Sequence, residues 1–158
     1  MSEFKRATEW DKMCGNVPTT QDLTDMYTQR SMDLVKEEYD DELIPYYEEG
    51  NVKEVLDAIG DSFKVLSQLA YSLQVDPEEL FKEVNDSNYS KFCDTLEDAK
   101  KSVESYDDDT RYHSVYYELV GSQYVIFGYK HWEVAGEVQP KVLKGIHYRE
   151  PNIQKFVK

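Results

Sequence analysis

Apolar residues recur every three or four positions through much of the chain, which is the spacing that puts side chains on one face of a helix. This pattern predicts a short helix over residues 3–13, closed by Gly15. A longer helix is predicted over residues 20–48, just before Gly50. Pro45 lies inside that segment and lacks a backbone donor, so we expect a kink or an early end there.

The clearest amphipathic pattern follows Asn51, which is a suitable N-cap residue. Its apolar positions alternate spacings of four and three residues, and they are Val52, Leu56, Ile59, Phe63, Leu66, Ala70 and Leu73. Because a helix in a globular protein normally buries its apolar stripe, we expect these side chains to face the core. Two shorter helices are predicted after it, over residues 77–84 and 94–106.

Beyond residue 112 the pattern changes to short runs rich in aromatic and β-branched residues. Two of these runs, residues 115–120 and 123–127, flank the pair Gly121-Ser122, which indicates a two-residue hairpin turn. A third strand is predicted over residues 141–148.

The length of 158 residues is that of one domain. We predict a mainly α fold, a helical bundle with its core in residues 1–112 and a small β-hairpin extension in residues 113–158 packed on the same domain. The longest uncharged runs are too short to span a bilayer, and the two cysteines, Cys14 and Cys93, are isolated. A cytoplasmic protein with reduced thiols and no membrane contact is expected.

The charge is strongly negative and unevenly distributed. The chain has 32 acidic and 18 basic residues, a formal net charge of −14. Residues 1–100 carry 24 acids and 10 bases, whereas residues 101–158 carry 8 of each. Such a balance disfavours docking on phosphate backbones or anionic lipid, so direct nucleic-acid binding is not expected.

Acidic side chains are most crowded in residues 33–62, which contain eleven acids and only two lysines. Glu37, Glu38 and Asp41 are three or four positions apart, so a helix would project them from one side. Asp57 and Asp61 share a side of the next helix in the same way. Mg²⁺ is usually held by a few carboxylates together with water and substrate phosphates, and two helices with paired acids would suit it.

An ordinary interpretation of these acids stands beside that one. A helix with an apolar stripe normally has a charged opposite face, and Asp57 and Asp61 lie opposite the stripe at Ile59 and Phe63. From the spacing alone, the acids are more simply the solvated face of an amphipathic helix.

Three motifs in order change that balance. They are LVKEEYDDEL at residues 34–43, VLDAIGD at residues 55–61, and FKEVNDSNYSK at residues 81–91, followed by KVLKGIHY at residues 141–148. Together they resemble the helices, the serine-asparagine-x-serine-lysine turn and the short β-tail of MazG-like nucleoside triphosphate pyrophosphohydrolases, in their phage and bacterial branch. The resemblance extends over roughly residues 3–151.

The resemblance implies a role for each matching residue. Glu37 and Glu38 would activate water, Glu38 would also bind metal with Asp41, Asp57 and Asp61, and Asn88 and Lys91 would contact the nucleotide or its phosphates. Two positions depart from the family pattern. Asp41 stands where Glu is more frequent, and Ala58 stands three residues before Asp61, where many members have an acid.

The implied reaction is the Mg²⁺-dependent, or Mn²⁺-dependent, hydrolysis of a (d)NTP to a monophosphate and pyrophosphate, carried out by a homodimer or homotetramer of an all-α fold. Two alternatives stay open. One is a dUTP-specific hydrolase of the same fold. The other is a non-enzymatic acidic protein, such as a DNA mimic, whose carboxylates would be spread over the outer surface.

Overall fold

A computed structural model describes residues 2–158. The fold is mainly α with a small antiparallel sheet, as predicted. The helices are α1 (Glu3–Met13), α2 (Met26–Lys36), a π-helical segment (Glu37–Leu43), α3 (Ile44–Glu49), α4 (Val52–Ser72), α5 (Pro77–Tyr89), α6 (Leu96–Glu104) and a final 3₁₀ turn (Ile153–Phe156). The strands are β1 (Tyr112–Val120), β2 (Gln123–Lys130) and β3 (Lys141–Val142).

The second helix begins later than the sequence pattern predicts. The side chain of Asp25 accepts hydrogen bonds from the backbone N–H groups of Tyr27 and Thr28, which makes Asp25 the N-cap of α2. Thr20 and Asp22, which fall in the first turn of the helix predicted over residues 20–48, instead accept hydrogen bonds from backbone N–H groups within a turn. A short polar side chain satisfies backbone donors in a turn as readily as at a cap, so the pattern alone does not distinguish them.

The predicted interruption near Pro45 takes the form of the π-helical segment. It runs over Glu37–Leu43, immediately before the α3 helix in which Pro45 occupies the first turn. Proline lacks the N–H that an α-helix would direct to the carbonyl of Asp41, so the hydrogen-bond pattern changes ahead of it. Gly50 ends α3 in the left-handed conformation, with φ of 72°, as expected for a helix C-cap.

The chain groups into two compact units. One contains the residues up to Phe81 together with Ile153–Lys158, and the other contains Lys82–Asn152. These boundaries differ from the division at residue 112 that the sequence suggested, because α6 packs against β1 and β2 of the sheet.

In the first unit, the apolar stripe of α4 does not face the core. Val52, Leu56 and Phe63 are 69%, 63% and 60% exposed. The opposite face of α4 is the buried one, and its residues are Ala58, Val65, Ser67, Gln68 and Ser72. The expectation of a core-facing stripe was wrong, because α1, α2 and the π-helical segment pack against the more polar side of α4.

In the second unit, β1 and β2 form the predicted hairpin around Gly121 and Ser122, and β3 pairs antiparallel with β2. The third strand is only Lys141–Val142, shorter than predicted. The buried cluster consists of Cys93, Ala99, Ile126 and Leu143.

In the part of the chain that the structure describes, no helix has both the length and the apolar character needed to cross a membrane.

Candidate acidic site

The candidate site lies where α2 and the π-helical segment pack against α4. The Gln68 side-chain amide donates to the Ser31 hydroxyl at 3.3 Å, so these two residues lie side by side on α4 and α2. Glu38 lies seven residues after Ser31, and Asp61 lies seven residues before Gln68. These two carboxylates are again close to each other. The two helices are therefore antiparallel, and their acidic segments meet.

Glu38 is the centre of this acidic cluster. Burial is the largest cause that raises the pKa of its carboxyl group, and the negative charges of Glu42, Asp61, Glu37 and Asp57 raise it further, in that order. Its Oε2 atom is buried and has no hydrogen-bond partner among the described residues. An unpaired carboxylate oxygen with four like charges around it costs free energy in the protein as it stands.

The cluster contains an acid that sequence reasoning passed over. Glu42 acts more strongly on Glu38 than any other charged side chain, whereas Asp41 is exposed to solvent. In the π-helical segment the hydrogen bonds run from residue i to i+5, so the facing positions differ from those of an α-helix. Glu38 and Glu42 are four residues apart, a spacing that puts two side chains on the same side of a helix. That spacing could have identified Glu42 from the sequence.

The other predicted acids lie at the site but remain open to solvent. Glu37, Asp57 and Asp61 are exposed. None of the five clustered carboxylates forms an ion pair within residues 2–158; Lys36 pairs with Asp33 and Lys53 pairs with Glu54. The negative charge of the cluster is therefore not neutralised by a neighbouring cation of the same chain.

The acids are not arranged as a closed metal site. Among the described residues, no group of three or more His, Cys, Asp or Glu side chains is close enough to hold a metal ion as it stands. The donor set is nevertheless made of carboxylate oxygens, which are the ligands that Mg²⁺ and Mn²⁺ favour. Binding of a metal ion would require the exposed carboxylates around the partly buried Glu38 to converge on it.

Asn88 and Lys91 belong to the second unit, where they contact each other. The Lys91 ammonium donates to the Asn88 side-chain oxygen at 2.7 Å. The Lys91 carbonyl oxygen accepts from the backbone N–H of Gly145 at 2.9 Å, and a Cβ atom on Gly145 would lie 2.7 Å from that oxygen. Gly145 is thus required for the close approach that holds the backbone at Lys91.

No family model, no curated protein and no solved structure matches this chain. The likeness to MazG-like enzymes remains a hypothesis suggested by the motifs of residues 34–91. The physical observation that bears on function is the acidic cluster around Glu38.

Proposed function

We propose that the protein is a Mg²⁺-dependent nucleoside triphosphate pyrophosphohydrolase of the MazG-like all-α type, which cleaves the α–β phosphate bond of (d)NTPs. The observation that carries the proposal is the meeting of carboxylates from two helices around the partly buried Glu38. Such an arrangement destabilises the free protein, and a cation with its nucleotide would remove the repulsion. We expect Mn²⁺ to substitute for Mg²⁺.

Glu38, Asp57 and Asp61 are the acids that would hold the ion, with Glu42 as an additional oxygen ligand. When bound, Mg²⁺ supplies charge neutralisation at the phosphate oxygens and orients the attacking water. We retain Asp41 as a candidate ligand, although its exposure makes Glu42 the better-placed acid on this helix.

Glu38 is also the better candidate for the general base. A base is most effective when its pKa lies near the working pH, and burial, the largest cause, raises the pKa of Glu38 in that direction. It would accept the proton of the water as the water oxygen bonds to phosphorus and the bond to the bridging oxygen breaks. Glu37 is the alternative base, and Asn88 and Lys91 would contact nucleotide or phosphate.

The proposal is tested with a panel of dNTPs and Mg²⁺, measuring pyrophosphate and orthophosphate separately. Glu38→Gln keeps the size of the side chain and removes its charge, so we expect pyrophosphate release to fall by roughly 10²–10⁴-fold. Glu49→Gln is the matched control, because Glu49 is an exposed acid at the end of α3. Orthophosphate as the first product would contradict the proposal.

The same panel separates the two alternatives. A dUTP-specific hydrolase would release pyrophosphate from dUTP and from no other nucleotide in the panel. A DNA mimic would release none from any of them, and Glu38→Gln would leave its binding to basic proteins nearly unchanged. The partial burial of Glu38 among four other carboxylates favours the enzyme over the mimic, because a mimic needs its acids only on the outer surface.

We further propose that the protein works as a homodimer, with a second copy covering the exposed stripe of α4. The exposed apolar side chains on this helix are Val52, Leu56, Ile59, Phe63 and Leu66. Their alternating spacing is that of a helical seam, and an antiparallel pair about a two-fold axis would set Ile59 against Phe63 of the other copy.

Gly60 supports this position for the seam. A glycine inside a helix costs about 1 kcal/mol relative to alanine, and a Cβ atom at Gly60 would have nothing within 4 Å. The absence of a side chain therefore serves no packing within the described chain, but it would let the backbone of a second helix approach closely.

Light scattering at micromolar concentration tests the dimer. We expect the wild type to have a dimeric or tetrameric mass and Leu56→Lys to be a folded monomer, since a charge would lie in the seam. Leu119→Lys is the control, because Leu119 is 59% exposed at the tip of the hairpin. A monomeric wild type, or dissociation by the control variant alone, would contradict the proposal.

A further inference from the structure

The β1 strand of the second unit contains a bulge near its start. Two of its residues, Ser114 and Val115, lie opposite the single residue Gly128 of β2. A bulge changes the direction of a side chain relative to the regular alternation of a strand, and bulges are frequent beside active sites. Ser114 is exposed to solvent. The bulge therefore presents a serine hydroxyl at the surface of the sheet.

Ser114 also has an uncommon backbone conformation. Its φ is 50°, in the left-handed region that favours glycine. The other non-glycine residue with a positive φ among residues 2–158 is Gln74, just after α4, where left-handed residues ordinarily end a helix. Ser114 lies within a strand instead. Residues held in such conformations are concentrated at functional sites, and a serine where glycine would fit without strain points to a use for its hydroxyl.

The Ser114 hydroxyl is bonded to the imidazole of the preceding residue. Ser114 Oγ lies 3.0 Å from His113 Nδ1, and His113 Nε2 lies 2.8 Å from the carbonyl oxygen of Glu133. A carbonyl oxygen only accepts hydrogen bonds, so Nε2 carries the proton that it donates. In the neutral imidazole Nδ1 is then an acceptor, and the Ser114 hydroxyl donates to it.

Further contacts hold the imidazole and its partner in place. The Tyr129 ring stacks on His113, with ring centroids 5.8 Å apart and planes inclined by 23°. Glu133 is fixed in turn, because its carboxylate accepts from the backbone N–H of Lys130 at 2.8 Å. A base that a third group holds in one tautomer, with a hydroxyl donating to its free nitrogen, is the arrangement of an activated nucleophile. Here a backbone carbonyl is the third group.

We propose that Ser114 and His113 form a nucleophile and base pair that hydrolyses small activated carboxylic esters. As Ser114 Oγ bonds to the carbonyl carbon of the ester, its proton passes to His113 Nδ1. The bond from that carbon to the alcohol oxygen then breaks, the proton goes to the departing oxygen, and an acyl group stays on Ser114. Water from the solvent releases the acid: its oxygen bonds to the acyl carbon, and its proton passes through His113 to Ser114 Oγ as the acyl bond breaks.

The exposure of Ser114 determines the class of ester. A substrate reaches this hydroxyl directly from solvent. An open surface contributes little binding energy from remote parts of a substrate, so small esters with a good leaving group are favoured over large ones. The pair belongs to the second unit, whereas the acidic cluster belongs to the first. Failure of the pyrophosphohydrolase proposal would leave this one standing, and the reverse also holds.

A fluorophosphonate tests the nucleophile directly. An activated serine oxygen bonds to its phosphorus and displaces fluoride, which leaves a stable adduct that peptide mapping by mass spectrometry locates. Ser122 is the internal control, because it is an exposed serine in the turn of the same hairpin. We expect Ser114 to be labelled roughly a hundredfold faster than Ser122 or more, which is the contribution of a general base.

Two substitutions separate the base from the structural contact. His113→Gln keeps an amide that can donate to the Glu133 carbonyl but has no basic nitrogen, so labelling of Ser114 should fall by roughly a hundredfold or more. Ser114→Gly suits the left-handed backbone, so the melting temperature should hold or rise. Hydrolysis of p-nitrophenyl acetate should nevertheless fall in this variant, whereas the matched control Ser122→Ala should retain the wild-type rate.

The outcomes are distinct. Preferential labelling of Ser114 that His113→Gln removes would support the proposal. Equal labelling of Ser114 and Ser122 in the wild type would overturn it, and that comparison does not depend on the folding of any variant. Labelling of Ser114 that His113→Gln leaves unchanged would overturn it as well, because the imidazole would then only tie β1 to the segment at Glu133.

Discussion

The two units have interiors of different character. The fully buried residues of the second unit include Cys93, Ala99 and Ile126, which pack with Leu143 and with aromatic side chains of the sheet. In the first unit, the buried positions are mostly polar: Asp11, Thr28, Ser31, Ser67, Gln68 and Ser72. Apolar side chains of α4 that would ordinarily fill such an interior lie on the surface instead.

The buried polar groups are also satisfied differently. In the second unit, Ser102 donates to the carbonyl of Asp98 at 2.7 Å and accepts from the N–H of Ile146 at 2.9 Å. Glu83 accepts from Arg149 and from the N–H of Asn152. All four unpaired buried side-chain oxygens found in residues 2–158 belong to the first unit.

This contrast concerns how each interior contributes to stability. A packed interior with paired polar groups stabilises a fold, whereas unpaired carboxylates and hydroxyls destabilise it unless a ligand completes them. The second unit has a packed interior with paired polar groups, whereas the first unit contains the unpaired carboxylates and hydroxyls. Substitutions in the two units can test that division.

The largest effect is expected from the core of the second unit. Ile126→Ala removes three carbon atoms from a side chain that is 0% exposed, so we expect the free energy of unfolding to fall by about 2–5 kcal/mol. Leu119→Ala, on the exposed hairpin, should change it by less than about 0.5 kcal/mol. Urea denaturation followed by circular dichroism measures both. Equal effects of the two substitutions would mean that this cluster does not form the core.

Substitution of one buried hydroxyl in each unit compares the two interiors directly. Ser102→Ala leaves the N–H of Ile146 without its acceptor, and we expect a loss of about 1–3 kcal/mol. Thr28→Val has nearly the same shape and removes a hydroxyl that has no partner, so it should leave stability unchanged or raise it by about 1 kcal/mol. If both substitutions destabilise the ligand-free protein equally, the hydroxyl of Thr28 is already paired, and the contrast between the units fails.

The acidic cluster predicts a pH dependence in metal-free protein. Burial, followed by the charges of Glu42, Asp61, Glu37 and Asp57, raises the pKa of Glu38 in the folded state. The folded protein thus holds this proton more tightly than the unfolded chain, whose value is near 4.5. The stabilising contribution of protonated Glu38 is complete below that pH and is lost as the pH rises through the raised pKa.

Melting temperatures in EDTA as a function of pH measure this contribution. Glu38→Gln does not titrate, so the difference in melting temperature between variant and wild type should grow as the pH rises above about 4.5. A difference that is constant with pH would show that Glu38 does not feel the neighbouring carboxylates. Comparison with the variant cancels the titration of all other groups, including Asp109, whose pairing with Arg111 lowers its pKa to about 2.

The smallest effect is expected for Asp61→Asn in EDTA. Relief of repulsion between exposed acids on a helix amounts to roughly 0.2–0.5 kcal/mol per pair, so the melting temperature should hold or rise slightly. The same variant should lose catalysis and most of the stabilisation that Mg²⁺ gives the wild type.

Glu54→Gln is the control for this measurement. Glu54 lies at the start of α4 and pairs with Lys53, so the change should alter activity and stability little. Loss of activity in Glu54→Gln together with normal activity in Asp61→Asn would instead indicate a site built on Glu54 and Asp57.

Local signals in the sequence predicted the elements they belong to. The Asn51 side chain accepts from the N–H of Glu54 and caps α4, and Asp76 accepts from the N–H groups of Glu78 and Glu79 at the start of α5. Caps and turns involve residues a few positions apart, so their physics is contained in the neighbouring sequence. The α5 helix nevertheless extends to Tyr89, beyond the predicted residue 84, because no strong stop signal precedes it.

The sequence by itself determined the mainly α fold, the hairpin and the crowding of acids on two consecutive helices. It did not determine which side of α4 faces the interior, because periodicity identifies a stripe but not its partner. Only the tertiary structure brought Asp57 and Asp61 close to Glu38, made Glu42 rather than Asp41 the charge that acts most strongly on it, and left the stripe at Leu56 exposed. Those features depend on how α2, its π-helical continuation and α4 pack together, and residues 37 and 61 are too far apart in the chain for local rules to relate them.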